Sequence, residues 1–208
     1  MWDIISNQFS KRVIQKISGG ILFNRRRFSN FRSIFLSCGF LFLLGSQVQA
    51  GIKGDVEKVI RNKFGDSVSF SMQKLVLEKI NKLAVEKKVH QRFFNDYIYV
   101  WSIRKADSVV AYGLLDNVKG KAMPITFLVI YDTSGKILNS QVIKYREPYG
   151  GEIANKKWNN QFVGRSEISD YVVGDEVDGI SGATISVYSM TKGVMKLSLL
   201  FPLIKSQL

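Results

Sequence analysis

The spacing of apolar positions changes twice along this chain. Residues 33–50, SIFLSCGFLFLLGSQVQA, hold no charge, and Ile34 to Leu44 form a continuous apolar core. Two stretches of helical period follow, GDVEKVIRNKFG (54–65) and SMQKLVLEKINKLAVEKK (71–88). In the second, Met72, Val76, Ile80 and Leu83 fall on one stripe and are expected to face a core. Ser71 stands where an N-cap belongs, and Glu78 precedes Lys82 by one helical turn. From Tyr97 the pattern becomes that of strands. YIYVWSIR (97–104), SVVAYGLL (108–115), ITFLVIYD (125–132) and KILNSQVIKY (136–145) are rich in β-branched and aromatic residues. Asp132-Thr133-Ser134-Gly135 reads as a hairpin loop, and the short connections predict antiparallel neighbours in a meander. Beyond the strands lie a loop, REPYGGEIANK, a short helix near KKWNNQF and a C-terminal helix through VYSMTKGVMKLSLL. The expected architecture is α+β: an antiparallel meander flanked by helices.

Composition supports a folded core. Of the 208 residues 46% are hydrophobic and 12% aromatic, with only 3 Pro. A formal charge of +13 raises nucleic acid or a membrane surface as partners until its location is read. Residues 1–33 concentrate seven Lys and Arg against Asp3 alone, whereas residues from Gly51 onward carry 23 basic and 16 acidic side chains spread along the chain. No recognition motif accompanies that charge, so nucleic-acid binding is not expected.

The basic block running into an apolar core and ending at Val48-Gln49-Ala50 has the layout of an export signal, with cleavage expected after Ala50. The core is short for a membrane span, and a retained anchor is the alternative. NRRRFSNF (24–31) also resembles a twin-arginine signal, with Ser29 departing from that pattern. The single Cys, Cys38, falls inside the apolar core, so the mature domain is expected to lack disulfides, a thiolate nucleophile and iron–sulfur ligands. The single His, His90, cannot form a metal cluster alone and is expected on the surface. No metal ligands and no catalytic constellation of Cys, His–Ser or close carboxylates are evident.

The chemistry concentrates in DEVDGISGATISVYSMTKGV, residues 175–194. Small side chains and hydroxyls crowd there immediately before a helix. An Asp-initiated turn and a Ser/Thr-capped helix would account for such a stretch with no cofactor. Asp178, Ser181, Gly182, Ala183 and Thr184 form D-x-x-S-G-A-T, which resembles the flavinylation motif of the FMN-binding domain family. Members include flavin subunits of sodium-pumping NADH:quinone reductase and of Rnf complexes, and the periplasmic part of nitrous-oxide-reductase regulatory flavoproteins. The order of parts extends the resemblance over about residues 97–200. YREPYGGEI (145–153) corresponds to a glycine-bearing acidic loop and KKWNNQFVGR (156–165) to an aromatic short helix. The loop Glu147-Pro148-Tyr149-Gly150-Gly151 departs from the Glu-Thr-Pro-Gly type of the respiratory subunits and is closer to the regulatory or stand-alone branch.

That resemblance implies FMN bound covalently by a phosphoester to Thr184, placed there by a flavin transferase that uses FAD. Gly182 and Ala183 would leave the hydroxyl accessible, and a helix starting at about Ile185 would favour the phosphate charge. Asp178 would hold the turn or a magnesium ion during transfer, and Ser181 would donate to phosphate. Glu147, Tyr149, Gly150 and Gly151 would contribute to the cofactor site, and Glu147, Arg146 and Glu152 would either shape the loop over the flavin or be a solvated turn. Tyr145, Tyr149, Trp158 and Phe162 would either face the flavin ring or belong to the core. The resulting expectation has three parts: residues 1–50 a signal peptide or anchor, 51–95 a helical segment, and 96–208 an FMN-binding domain. The protein would be an exported redox carrier, or a component of an oxidoreductase system, in the periplasm or at the outer face of the cytoplasmic membrane. It would exchange electrons with membrane donor or acceptor proteins. A cofactor-free accessory module of the same fold is the alternative, and a hydrolase is disfavoured.

Overall fold

The inner strands of the central sheet present apolar side chains alternately to opposite faces, and both of those faces are buried. The computed structural model describes residues 51–208; the signal or anchor expected at 1–50, with Cys38, lies outside the described residues. Helix α1 covers residues 51–64. Strand β1 (Val68–Val76) leads to helix α2 (Lys79–Val89), and four strands follow: β2 (Tyr97–Lys105), β3 (Ser108–Lys119), β4 (Pro124–Asp132) and β5 (Ile137–Lys144). A 3-10 turn (Gly151–Ala154), the short helix α3 (Lys156–Asn160) and the long helix α4 (Thr184–Ile204) complete the order, with a last 3-10 turn at Lys205–Gln207.

The sheet runs β1-β2-β3-β4-β5, every neighbour antiparallel. This is the expected meander with one strand added in front. Asp132 closes the β4–β5 hairpin: its Oδ1 accepts from Ser134 N–H (2.8 Å), Ser134 Oγ (2.7 Å) and Lys136 N–H (2.9 Å).

Ile98 and Val100 of β2, Leu114 of β3 and Phe127 and Val129 of β4 face α4 through Val187, Met190, Val194 and Leu197. Trp101, Ile103, Leu115, Leu128 and Ile130 face the other way, onto Val56, Val59 and Ile60 of α1. The sheet is therefore sandwiched, and residues 51–208 lie in one compact unit. Gly193 sets how close α4 can approach, since a Cβ there would stand 2.5 Å from Val118 Cγ1 and 2.9 Å from Phe127 Cζ. A buried ion pair adds a second tie. Lys196 Nζ on α4 meets Asp116 Oδ2 on β3 at 2.9 Å, donates to the Arg92 carbonyl (3.2 Å) and lies over the Phe93 ring.

The stretch 71–88 departs from expectation. Residues 71–76 belong to β1 and pair with β2, from Ser71↔Ser102 to Val76↔Tyr97; the helix begins only at Lys79. The supposed core stripe is exposed, with Val76 at 68% and Ile80 at 76% of their accessible surface and Met72 and Leu83 also open. The residues of α2 that enter the core are Val85 and Val89. Ser71 caps nothing; Glu78 occupies the N-cap position without a side-chain cap bond. Lys82 bonds Asp96 at 2.5 Å, while Glu78 accepts from Asn81 (3.0 Å) and Gln207 (3.4 Å). The apolar positions fit a helical period by coincidence, whereas the backbone of 68–76 completes its hydrogen bonds along the open edge of β2. His90 ends α2 as an exposed left-handed residue with φ of 53°.

Candidate functional site

Three segments meet at one end of the sheet. The first is the turn between β3 and β4, where Gly120 N–H bonds the Met123 carbonyl at 3.1 Å. The second is the loop after β5, residues 145–150, and the third is the start of α4. They enclose a cleft of about 590 Å³ walled by Lys121 and Ala122, by Glu147, Pro148 and Tyr149, and by Gly182, Ala183, Thr184, Ile185 and Ser186. That volume falls in the range of about 300–1,000 Å³ usual for small-molecule sites.

Glu147 joins the first two walls. Its Oε1 accepts from Ala122 N–H at 2.9 Å and Met123 N–H at 3.1 Å. The Ala122 bond, opposed by desolvation and aided by the amides of Met123 and Lys121 and by the Lys121 charge, holds the Glu147 carboxyl below its ordinary value. Gly120 is required beside it, because a Cβ would collide with that carboxylate and with the Met123 carbonyl. Arg146 points away from the cleft and bonds the Pro124 carbonyl (3.0 Å) and Thr126 Oγ1 (3.1 Å), anchoring the loop to β4.

Tyr145 joins the second wall to the third. Its hydroxyl donates to the Tyr149 carbonyl at 2.6 Å and lies 3.3 Å from Ser186 Oγ in the first turn of α4. Gly150 takes φ of 80°, and a Cβ there would press on the Tyr145 hydroxyl (2.8 Å) and Ala183 Cβ (3.3 Å). Gly150 and Ala183 are therefore small because they touch. Ala183 is buried, so its size serves this contact as well as access to its neighbour. Gly182, with φ of 79°, makes the turn that delivers the chain to the helix.

Helix α4 begins at Thr184, one residue before the expected start, with Ala183 as its N-cap. No side chain caps it and no acid lies in its first turn. The first-turn N–H groups and the positive end of the helix dipole are thus directed to the cleft wall without a protein carboxylate to occupy them. Thr184 is exposed on that wall. Lys121 supplies a cation opposite. Glu147 also lines the cleft, as a carboxylate held ionised by the backbone amides it accepts from and, to a lesser degree, by the Lys121 charge.

The structure brings together five of the nine residues singled out from sequence: Thr184, Gly182, Ala183, Glu147 and Tyr149 line the cleft. Gly150 stands directly behind the wall, and Gly151 opens the following 3-10 turn. Asp178 and Ser181 are exposed outside the lining. The Asp178 backbone is tied down on both sides, its carbonyl accepting from Trp158 Nε1 (2.8 Å) and its N–H donating to Gln161 Oε1 (2.8 Å). Trp158 and Phe162 belong to the core, packed edge to face at 5.2 Å, while Tyr149 is the aromatic residue left open at the cleft. Lys121, Ile185 and Ser186 were not anticipated. Nothing in the spacing couples a β3–β4 turn to a motif some sixty residues later, whereas Ile185 and Ser186 could have been found by continuing the motif one turn into the helix.

A deep sheet-end cleft that presents a hydroxyl at an open helix N-terminus defines an α+β domain suited to a small anionic ligand. Residues 120–198 match the family model described as the FMN-binding domain. The matched span holds all three walls of the cleft. No curated protein matches the chain.

Proposed function

We propose that Thr184 carries FMN covalently, through a phosphoester, and that the protein is an exported electron-transfer flavoprotein. The observation that carries this reading is the position of Thr184: exposed in the cleft, at the first residue of an uncapped helix whose first turn holds no acid. A phosphodiester formed on Thr184 Oγ1 would keep one negative charge beside free N–H groups and the helix dipole. In attachment, Thr184 Oγ1 gains a bond to phosphorus and gives up its proton, while the pyrophosphate bond of the donor FAD breaks and AMP leaves.

The cleft residues divide the remaining work. Lys121 adds positive potential opposite the helix end. Tyr149, Pro148 and Ile185 offer apolar surface for a ring system. Glu147 and Tyr145 fix the walls, Glu147 by accepting backbone N–H bonds and Tyr145 by donating to the Tyr149 carbonyl. Ser181 and Asp178, exposed outside the cleft lining, would serve the transferase during loading. The bound flavin supplies one- and two-electron chemistry. A covalent tether suits an exported domain because it prevents loss of the cofactor by dissociation. The partners of this reading are a flavin transferase and membrane electron donors or acceptors at the outer face of the cytoplasmic membrane.

The test is co-expression with a flavin transferase, followed by denaturing-gel fluorescence and intact mass. Wild type and Thr184→Ser are expected to show flavin that survives denaturation, and Thr184→Ala to show none. A fluorescent band retained by Thr184→Ala overturns the attachment site.

A further inference from the structure

On the sheet edge formed by β5, a second depression of about 670 Å³ lies between α1 and the segment that begins with α3. Its polar lining is Asn62 and Lys63 from α1, Asn139 and Gln141 from β5, and Lys156 and Asn160 from α3. It contains four amides and two cations and no carboxylate. Among the described residues, none of these six side chains has a hydrogen-bond or ion-pair partner. The nearby charges that are paired lie outside the lining, as in Lys144 Nζ to Asp55 Oδ2 at 2.7 Å.

The backbone at this edge is also unspent. The outer side of β5 is closed at its first residue, where Ile137 N–H bonds the Arg165 carbonyl and Gly164 N–H bonds the Ile137 carbonyl, both at 2.8 Å. Beyond Ile137, no backbone bond joins residues 138–144 to α1, α3 or any other described segment outside the sheet. Pairing with β4 skips Leu138 and Ile143, so the regular stretch between these two irregularities is residues 139–142.

We infer that this edge accepts a short, extended, acidic peptide segment as an added strand. Main-chain bonds to residues 139–142 would hold the segment, the four amides would meet its remaining peptide groups, and Lys63 and Lys156 would receive its carboxylates from either side. Protection against edge pairing would put charge on the strand itself. The other edge strand, β1, does this with Lys74, whereas the groove positions of β5 are Leu138, Asn139 and Gln141 and the lysines stand on the flanking helical segments. The irregularities limit the addition to about four residues, so lengthening the peptide beyond the groove should add little.

The experiment uses the full chain and three end-blocked peptides. One is a hexapeptide of alternating Asp and Val, the second is the same peptide N-methylated at alternate residues, and the third replaces Asp by Lys. Calorimetry is expected to show binding of the first alone, weakened at least tenfold by Lys63→Glu with Lys156→Glu. Hydrogen exchange should slow at β5 amides within residues 139–142. Equal binding of the N-methylated peptide would reduce the effect to charge attraction and overturn strand addition. Absence of binding by the unmodified peptide would overturn it as well. An unchanged melting temperature of the double variant establishes that any loss is local. The outcome is independent of flavin loading, because no cleft residue is altered.

Discussion

Thr184 and Glu147 face each other across one cleft but depend on different physics. Thr184 is exposed and makes no side-chain cap, so its replacement by Ala should leave stability within about 0.5 kcal/mol, the usual range for surface changes. A thermal melt of the unloaded protein checks this and separates loss of flavin from loss of fold. Glu147 is a structural acid whose carboxyl titrates below the ordinary 4.5 because backbone N–H groups, led by that of Ala122, favour its charged form. A depressed folded-state value means that the stabilisation is fully present above the unfolded value and is lost as pH falls through the folded one. The β3–β4 turn should therefore loosen below about pH 4.5 and remain closed at neutral pH. Faster exchange of the Ala122 and Met123 amides under acid is the measurement. Glu147→Gln, which keeps an acceptor but cannot titrate, should remove that pH dependence; an unchanged acid response would show that another group controls the turn. At this scale the sequence was informative where chemistry is local. Gly182-Ala183-Thr184 marks a helix start with an open hydroxyl whatever the tertiary context. The bonds from Ala122 and Met123 to Glu147 were not legible, because they join positions more than twenty residues apart through backbone groups common to every residue.

Helix α4 shows how one glycine sets the spacing of two elements. It would be a mild defect in an isolated helix, where Ala is favoured by about 1 kcal/mol. Here a methyl at Gly193 would be driven into Val118 and Phe127, side chains fixed in the centre of the sheet. Overpacking of this kind costs about 1–3 kcal/mol and outweighs the gain in helix propensity. Gly193→Ala is expected to lower the melting temperature, and a higher one would show that α4 can shift without loss. Because the same helix carries Thr184 at its N-terminus, the variant should also alter loading in proportion to any displacement of its first turn. The elements most readily read from sequence were those with a strong period and a clear boundary: β2 to β5, the β4–β5 hairpin set by Asp132, and α4. The segment around β1 and α2 was misread for a physical reason. β1 is an edge strand whose residues are mostly exposed, so its sequence lacks the half-buried alternation that identifies a strand. Met72, Val76, Ile80 and Leu83 satisfied helical spacing without sharing a helix, and only pairing with β2 distinguishes the two alternatives.

At the scale of the molecule, basic charge and apolar length are unevenly distributed along the chain. Seven of the 30 Lys and Arg precede the apolar run at 34–44, while the domain from Gly51 onward mixes both signs over its surface. Among the described residues no helix is long and apolar enough to cross a membrane. The proposal of an exported carrier therefore rests on residues 1–50 acting as a leader or anchor, and it is testable apart from the flavin. A reporter joined after Ala50 should appear outside the cytoplasm, and cleaved protein should begin at Gly51 and lack Cys38 by intact mass. The route can be distinguished too. Replacing Arg25 and Arg26 by Lys should stop export if NRRRFSNF is read as a twin-arginine signal, and leave it intact if the apolar core is read by the general secretory route. Continued export is the expected result, since the run from Phe35 to Leu44 is more apolar than the twin-arginine route requires. It would also mean that the domain crosses unfolded and is loaded by a transferase on the far side. A cytoplasmic protein with its first fifty residues intact would overturn the exported carrier while leaving attachment at Thr184 to stand or fall on its own assay.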